Sequence, residues 1–249
     1  MRKLFTDFPI EGEFYLSPED SRHVVRVLRH VTGDVLTVSD GTGIAYTCLI
    51  ADTAGERVLM RPLKKIVPED ETERHELILA AALLKNDRFD WLVQKATELG
   101  VDRVVPIQMK HCVVKLDEKR RKERCVRWQK IALEAAKQCG RSALMRVAAI
   151  APLSALLQDA DLFGAPDTAV VFCYEAEHTQ SMRTVLRSVD ARRIVLIVGA
   201  EGGFSPTEAA AIQAAGAQSV SLGRLILRAE TAALAALSVS QYELGNFDL

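Results

Sequence analysis

The sequence predicts an α/β protein with a mainly parallel sheet, preceded by a small β-rich domain. Three observations carry that expectation. From residue 77 onward, apolar runs of strand length alternate with segments of helical periodicity. Before residue 62, short alternating stretches flank turn signals at Asp40-Gly41 and Ala54-Gly55, the pattern of a small β-barrel or meander. Between these regions, residues 62–76 hold two prolines and a run of charges and read as a linker. The expected domains are residues 1–70 and 71–249.

In the first domain, Val35 to Val38, Ile44 to Ile50 and Arg57 to Pro62 read as strands. One helix interrupts them, starting at Ser17-Pro18-Glu19-Asp20. Its Val24, Val27 and Leu28 form an apolar stripe, with Arg22, Arg26 and Arg29 on another face. That basic face suits phosphate contact, and equally a solubilising role. In the second domain, Leu77 to Leu84 is a strand, and Phe89, Leu92, Val93, Ala96 and Leu99 make a helical stripe that Gly100 ends. Val101 to Ile107 is the next strand. Asp117 to Gln138 is a long helix with Cys125, Trp128, Ala132 and Ala135 inward and Gly140 as its stop. Ala169 to Cys173, Arg193 to Val198 and Gln218 to Leu222 are further strands, and Pro206 to Ala215 and Ala229 to Leu244 are helices.

Composition places the chain among ordinary globular proteins, with 49% hydrophobic and 26% charged residues in 249. No apolar run approaches the length that spans a bilayer, and the start lacks the apolar core of a signal peptide. Five scattered cysteines show neither Cys-x-x-Cys spacing nor a metal-like pattern with His. The expectation is a cytoplasmic protein with reduced thiols, no metal and no membrane partner. The net charge of −1 hides an uneven distribution: residues 85–146 carry 16 Lys and Arg against 8 Asp and Glu. Such a segment offers a basic face to nucleic acid, although Lys119-Arg120-Arg121-Lys122 also reads as the solvated start of a helix.

Chemistry concentrates in two turns. The apolar run Ile194 to Val198 leads into Gly199-Ala200-Glu201-Gly202-Gly203-Phe204-Ser205 and then a helix with Pro206 at its first position. Ser205 and Glu208 have the spacing of a capping box. A glycine-rich turn at the carboxyl end of a parallel strand is where α/β proteins bind ligands, although many such turns only satisfy a positive φ. Glu201 stands where a dinucleotide motif has glycine and would repel a pyrophosphate, so a neutral or cationic ligand fits better. The second turn is Leu222-Gly223-Arg224-Leu225-Ile226-Leu227-Arg228-Ala229-Glu230-Thr231-Ala232. Arg228 and Glu230, at the mouth of an Ala/Leu helix, are not needed for packing and are the leading site candidates.

Both turns resemble the signature loops of the SPOUT methyltransferases, and more closely those of the bacterial 16S ribosomal RNA uridine N3-methyltransferases, usually called RsmE. Asp87 to Trp91 with Lys95 to Val101, Glu134 to Arg141, and the amino-terminal Arg2, Phe5, His23 and Val27-Leu28-Arg29 also match, so the likeness spans nearly the whole chain. It departs at Asn86, Ala200, Arg224-Leu225 and Ala229, and at Gln108 to Cys112.

The resemblance implies a SPOUT-type parallel sheet with a carboxyl-terminal trefoil knot, against the general rarity of knots, and a PUA-like amino-terminal β-barrel. It implies S-adenosylmethionine as cofactor, held by Tyr174, Gly199, Glu201, Gly202, Gly203, Leu222, Gly223, Leu225, Ile226, Leu227, Thr231 and Ala232. The substrate it implies is 16S rRNA in the small ribosomal subunit, contacted by Arg2, Arg22, Arg26, Arg29 and Lys95, and the assembly it implies is a homodimer. Methyl transfer to uridine N3 needs the imide proton removed or its anion stabilised, for which Glu230, Arg228, Arg141 and Gln138 are the candidates. The sequence does not choose the base, and the five histidines stand apart from the glycine loops. A sibling enzyme with another acceptor and a non-catalytic RNA-binding assembly factor are the alternatives.

Overall fold

The computed structural model describes residues 3–6, 8–67 and 74–247. These residues form two compact units. One holds the described residues of Met1–Thr72 together with Ala136–Leu144, the other those of Glu73–Ala135 and Met145–Leu249.

The first unit is a curled five-stranded sheet in the order β1-β3-β4-β5-β2, formed by β1 (Leu4–Phe5), β2 (Phe14–Tyr15), β3 (Val35–Ser39), β4 (Ala45–Asp52) and β5 (Leu59–Ile66). β1 and β3 pair in parallel and the other neighbours are antiparallel. Inward positions such as Leu36, Val38, Cys48, Ile50 and Met60 make its core. β5 runs through the start of the expected linker. Pro62 lies where the β4–β5 register shifts between Thr47 and Cys48, and such an irregularity accommodates a residue with no N–H to donate. Residues 68–73 of that linker lie outside the described residues.

The helix of this unit departs from expectation after one turn. Ser17 caps α1 (Pro18–Arg22) by accepting the Asp20 N–H at 3.0 Å, as its sequence indicates. His23–Val27 then widens into a π turn. The wider turn breaks the 3.6-residue stripe, so Val24 is buried while Val27 is 64% exposed. Arg29 is no longer helical: it ends the segment at φ 58°, a left-handed conformation uncommon for a residue with a side chain.

Residues 136–144 complete this unit. Lys137 Nζ lies 2.9 Å from Asp20 Oδ1, with both side chains buried. Lys3 Nζ donates to Gly140 O at 3.0 Å, and Ser39 Oγ donates to Ser142 O at 2.6 Å.

In the second unit, β6 (Glu76–Ala82), β7 (Arg103–Gln108), β8 (Arg146–Val147), β10 (Thr168–Cys173), β11 (Arg193–Val198) and β12 (Gln218–Val220) lie in the order β12-β10-β11-β6-β7-β8, and β9 (Ala151–Pro152) also pairs with β7. Every one of these pairings is parallel. The central strands are apolar on both faces, as a sheet covered on two sides requires: Leu77 to Ala82 and Ile194 to Val198 are buried throughout.

Helices α2 (Arg88–Glu98), α3 (Glu118–Cys139), α4 (Leu153–Leu157), α5 (Met182–Ser188), α6 (Pro206–Ala214) and α7 (Ala229–Glu243) follow the strands. Asp90 ties α2 to α3: it accepts the Trp128 indole N–H at 2.8 Å and pairs with Arg127, while the rings of Phe89 and Trp128 lie 4.3 Å apart. α7 returns to pack on α2, α5, β6 and β11, with Ala233, Ala236 and Leu237 fully buried. No helix among the described residues is long and apolar enough to cross a membrane.

Candidate functional site

Because β12, β10 and β11 are parallel neighbours, their carboxyl ends lie side by side. The segments leaving them enclose a pocket of about 320 Å³, lined by Cys173 to Glu175, Val198 to Phe204, and Val220 to Ala232 with interruptions. That volume is at the lower end for a small-molecule site. Of the residues expected to hold a cofactor, all line this pocket except Thr231, which is exposed on the first turn of α7.

The glycine turn is held from three directions. The capping box forms in full: Glu208 N–H donates to Ser205 Oγ, and Ser205 N–H to Glu208 Oε2 at 2.9 Å. Lys110 N–H, just past β7, donates to Glu208 Oε1 at 2.7 Å. Burial alone would push the Glu208 carboxyl up. The N–H groups of Lys110 and Ser205, the Ser205 hydroxyl and nearby His111 outweigh it, and the group is lowered. His111 Nδ1–H donates to Gly202 O at 2.9 Å, and a β carbon on Gly202 would come within 3.0 Å of the His111 Cβ. Of Gly199, Gly202 and Gly203, only Gly203 has positive φ, at 66°. The other two are small because a neighbour approaches closely: the Phe204 ring at Gly199 and His111 at Gly202.

The floor is aromatic. Tyr174 and Phe204 line the pocket, with ring centroids 6.1 Å apart and edge to face. Burial pushes the Cys173 thiol up to about 12, so this pocket-lining sulfur stays protonated and unreactive at neutral pH. The wall formed by Leu225 and Ile226 is 79% and 84% exposed.

The segment after β10 is fastened by Glu177. Its carboxylate accepts the Ser219 hydroxyl at 2.6 Å, the Thr179 hydroxyl at 2.6 Å, and the N–H groups of Thr179 and Gln180. These bonds, Ser219 foremost, lower the carboxyl from 4.5 to about 2. A depressed folded-state pKa gives stability that is full above the unfolded value and lost as pH falls through the folded one. The thermal midpoint of the protein should therefore drop more steeply between pH 4.5 and 2 than that of Glu177→Gln. Parallel curves across that window would remove Glu177 as the acid-sensitive tie.

Arg228 and Glu230 lie beside the pocket and do not line it. Arg228 is exposed and forms no ion pair among the described residues. Glu230 turns to Arg88: Oε1 lies 3.7 Å from Arg88 Nε, and Oε2 is buried with no hydrogen-bond partner among the described residues. Arg88 also reaches Glu201, with Nη1 3.8 Å from its Oε1, and Lys85 N–H donates to the same oxygen at 3.2 Å. Arg88 thus stands between carboxylates of both signature turns.

Sequence reading missed Arg88 and His111 as site residues, because each arrives from the end of a neighbouring strand. Arg88 lies within the matching stretch Asp87 to Trp91, whereas the signal at His111 was position alone, just past the strand ending at Gln108. Asn86 adopts φ 54°, a left-handed conformation that asparagine tolerates better than most residues with a side chain.

Residues 71–241 match the RNA methyltransferase domain family, and residues 16–62 match the RNA methyltransferase PUA domain family. The chain is 34% identical to the ribosomal RNA small subunit methyltransferase E of Bacillus subtilis, over 92% of this chain and 90% of that protein. This chain belongs to the ribosomal RNA small subunit methyltransferase E family. The Synechocystis member is 32% identical over 92% of this chain and 73% of its own length. The crystal structure of the Neisseria gonorrhoeae member bound to S-adenosyl methionine superposes with a TM-score of 0.83 at 28% identity, covering 99% of each chain. A putative methyltransferase of Legionella pneumophila in complex with its bound cofactor SAM gives 0.81 at 28% identity, covering 96% of each chain.

The remaining sequence candidates fall elsewhere. Gln138 and Arg141 belong to the segment that completes the first unit. Arg22, Arg26 and Arg29 are exposed in that same unit, and Arg22 Nε donates to Pro18 O at 3.2 Å. Arg2 lies outside the described residues. Lys95 is paired with Glu98 at 2.8 Å on α2, an i,i+3 pair. Within the basic start of α3, Arg120 pairs with Asp117, Lys122 with Glu118, and Arg121 Nε donates to Leu116 O at 3.2 Å, so three of that tetrad are engaged locally.

Proposed function

We propose that the protein transfers a methyl group from S-adenosylmethionine to N3 of a uridine in the 16S rRNA of the small ribosomal subunit. The observation that carries this reading is the composition of the pocket: its walls hold two carboxylates, Glu175 and Glu201, and no cationic side chain among the described residues. A phosphate-bearing dinucleotide would be repelled there, whereas a cationic cofactor is attracted. The cradle left bare of β carbons at Gly199, Gly202 and Gly203 and the apolar wall of Leu222, Leu225, Ile226 and Leu227 fit an adenosine. Tyr174 and the glycine turn would hold that group in place, and Thr231 would lie just outside.

Bound there, S-adenosylmethionine supplies an electrophilic methyl group on a sulfonium. The chain's task is to present the acceptor in line and to manage the imide proton. Arg228, exposed at the end of the pocket-lining turn, stabilises the uridine anion or holds a flanking phosphate. The Glu230 oxygen without a partner is the proton acceptor, since a buried carboxylate oxygen with no donor is rare and N3–H is such a donor. Gln138 and Arg141, with the exposed Arg22, Arg26 and Arg29, contact the RNA, and Lys95 does so by exchanging its bond to Glu98. The protein acts in the cytoplasm without a metal. A second copy of the chain, packed through the Ala/Leu-rich α7, completes the active enzyme; light scattering should give a mass twice the 27.4 kDa of one chain.

The deciding experiment is methyl transfer from labelled S-adenosylmethionine to small ribosomal subunits purified from a strain lacking this gene, with the labelled nucleoside identified by mass spectrometry. Label in 3-methyluridine of 16S rRNA is the expected result. Label in a ribose or another base would move the protein to a different acceptor, and no label with no cofactor binding would overturn the enzymatic reading.

A further inference from the structure

The two carboxylates of the pocket are not equivalent. Glu201 is engaged by the Lys85 N–H and by Arg88. Glu175 has no hydrogen bond or ion pair among the described residues. Its carboxylate nevertheless has a defined seat: Oε1 occupies the space where a β carbon on Gly203 would stand. The positive φ of Gly203 and the carboxylate lying against it place an unpaired negative charge on the glycine turn, inside the pocket.

We propose that Glu175 is the residue by which this protein distinguishes the charged methyl donor from its spent product. This rests on the reading of the pocket as the cofactor site. S-adenosylmethionine carries a sulfonium, an ammonium and a carboxylate, and is a net cation. S-adenosylhomocysteine has lost the sulfonium charge with the methyl group and is neutral overall. The two have nearly the same shape, so the glycine cradle and apolar wall bind both about equally. A charge that appears only in the donor is felt by the unpaired carboxylate of Glu175, which is exposed at the pocket wall, and by little else there. Glu201, already balanced by Arg88, contributes less to the difference. Glu175 thereby favours exchange of product for fresh donor after each turnover.

The test is calorimetric binding of three ligands to the full chain and to Glu175→Gln. The ligands are S-adenosylmethionine, S-adenosylhomocysteine, and sinefungin, which carries an ammonium near the sulfonium position. The substitution should weaken S-adenosylmethionine and sinefungin about five- to tenfold, up to about 1.4 kcal/mol, and change S-adenosylhomocysteine by less than about twofold. Glu175→Asp should restore part of the preference, and unchanged unfolding midpoints of the free variants would show that the pocket is intact. Equal weakening of all three ligands, or no change in any, overturns the role of Glu175 while leaving the cofactor site standing. Failure of the unsubstituted protein to bind any of the three overturns the site itself.

Discussion

Glu230→Gln should lower single-turnover methyl transfer by about 10²–10⁴, the range of a positioned general base, while leaving the affinity for S-adenosylmethionine within about threefold. The separation follows from geometry. Glu230 does not line the pocket, so the cofactor loses no contact when its charge is removed. Its Oε2 is the oxygen without a partner, whereas Oε1 faces Arg88 at 3.7 Å. An amide keeps the shape of the side chain and cannot take the imide proton. Arg88→Ala provides the contrast: it leaves both Glu201 and Glu230 without their cation, so the rate should fall while affinity for the cationic cofactor holds or rises. If Glu230→Gln retains activity within tenfold, the residue only positions Arg88, and the proton leaves by another route.

Lys137→Met should destabilise the first unit by about 3–5 kcal/mol, the cost of leaving one member of a buried ion pair alone. Lys137 and Asp20 are 5% and 9% exposed at their side chains, and Nζ lies 2.9 Å from Oδ1. Among the described residues, Asp20 would keep only the Ser17 hydroxyl, at 2.8 Å on its other oxygen, to offset burial of its charge. Urea unfolding followed by a probe in the β-rich unit measures the loss. The double variant Asp20→Asn/Lys137→Met should recover a large part of it, because no charge is then left buried. A cost below about 1 kcal/mol for the single variant would mean that water or another group reaches Asp20, and that the pair does not hold residues 136–144 in place.

How much of this was legible in the sequence depends on how local the signal is. The cap of α6 could be read from Ser205, Pro206 and Glu208 alone, since all three partners lie within four residues. β11 could be read from its apolar composition, and its observed bounds are Arg193–Val198. The π turn after α1 could not, because its residues have ordinary helical spacing and the widening is imposed by packing. The attachment of residues 136–144 to the first unit rests on partners far apart in the chain, Lys137 with Asp20 at 117 positions and Ser39 with Ser142 at 103, and no pattern within either segment announces it. The same distance hid Arg88 and His111 from the site, although the glycine turn they support was the plainest motif in the chain.

The order β12-β10-β11 has a consequence for how the protein comes into being. The three segments enclosing the pocket leave their strands near residues 173, 198 and 220, and the third strand begins only at Gln218. During synthesis, the first six strands of the second unit are in place or in reach before any binding site exists. The site closes only when the last strand joins an edge that has waited without a partner, and such late, non-local pairing is slow. A ligand that recognises only the finished edge then stabilises the completed chain over every truncated one. Cofactor in the cell would act as a reporter of completed assembly, and a chain ending before Gln218 would have no means of drawing on it.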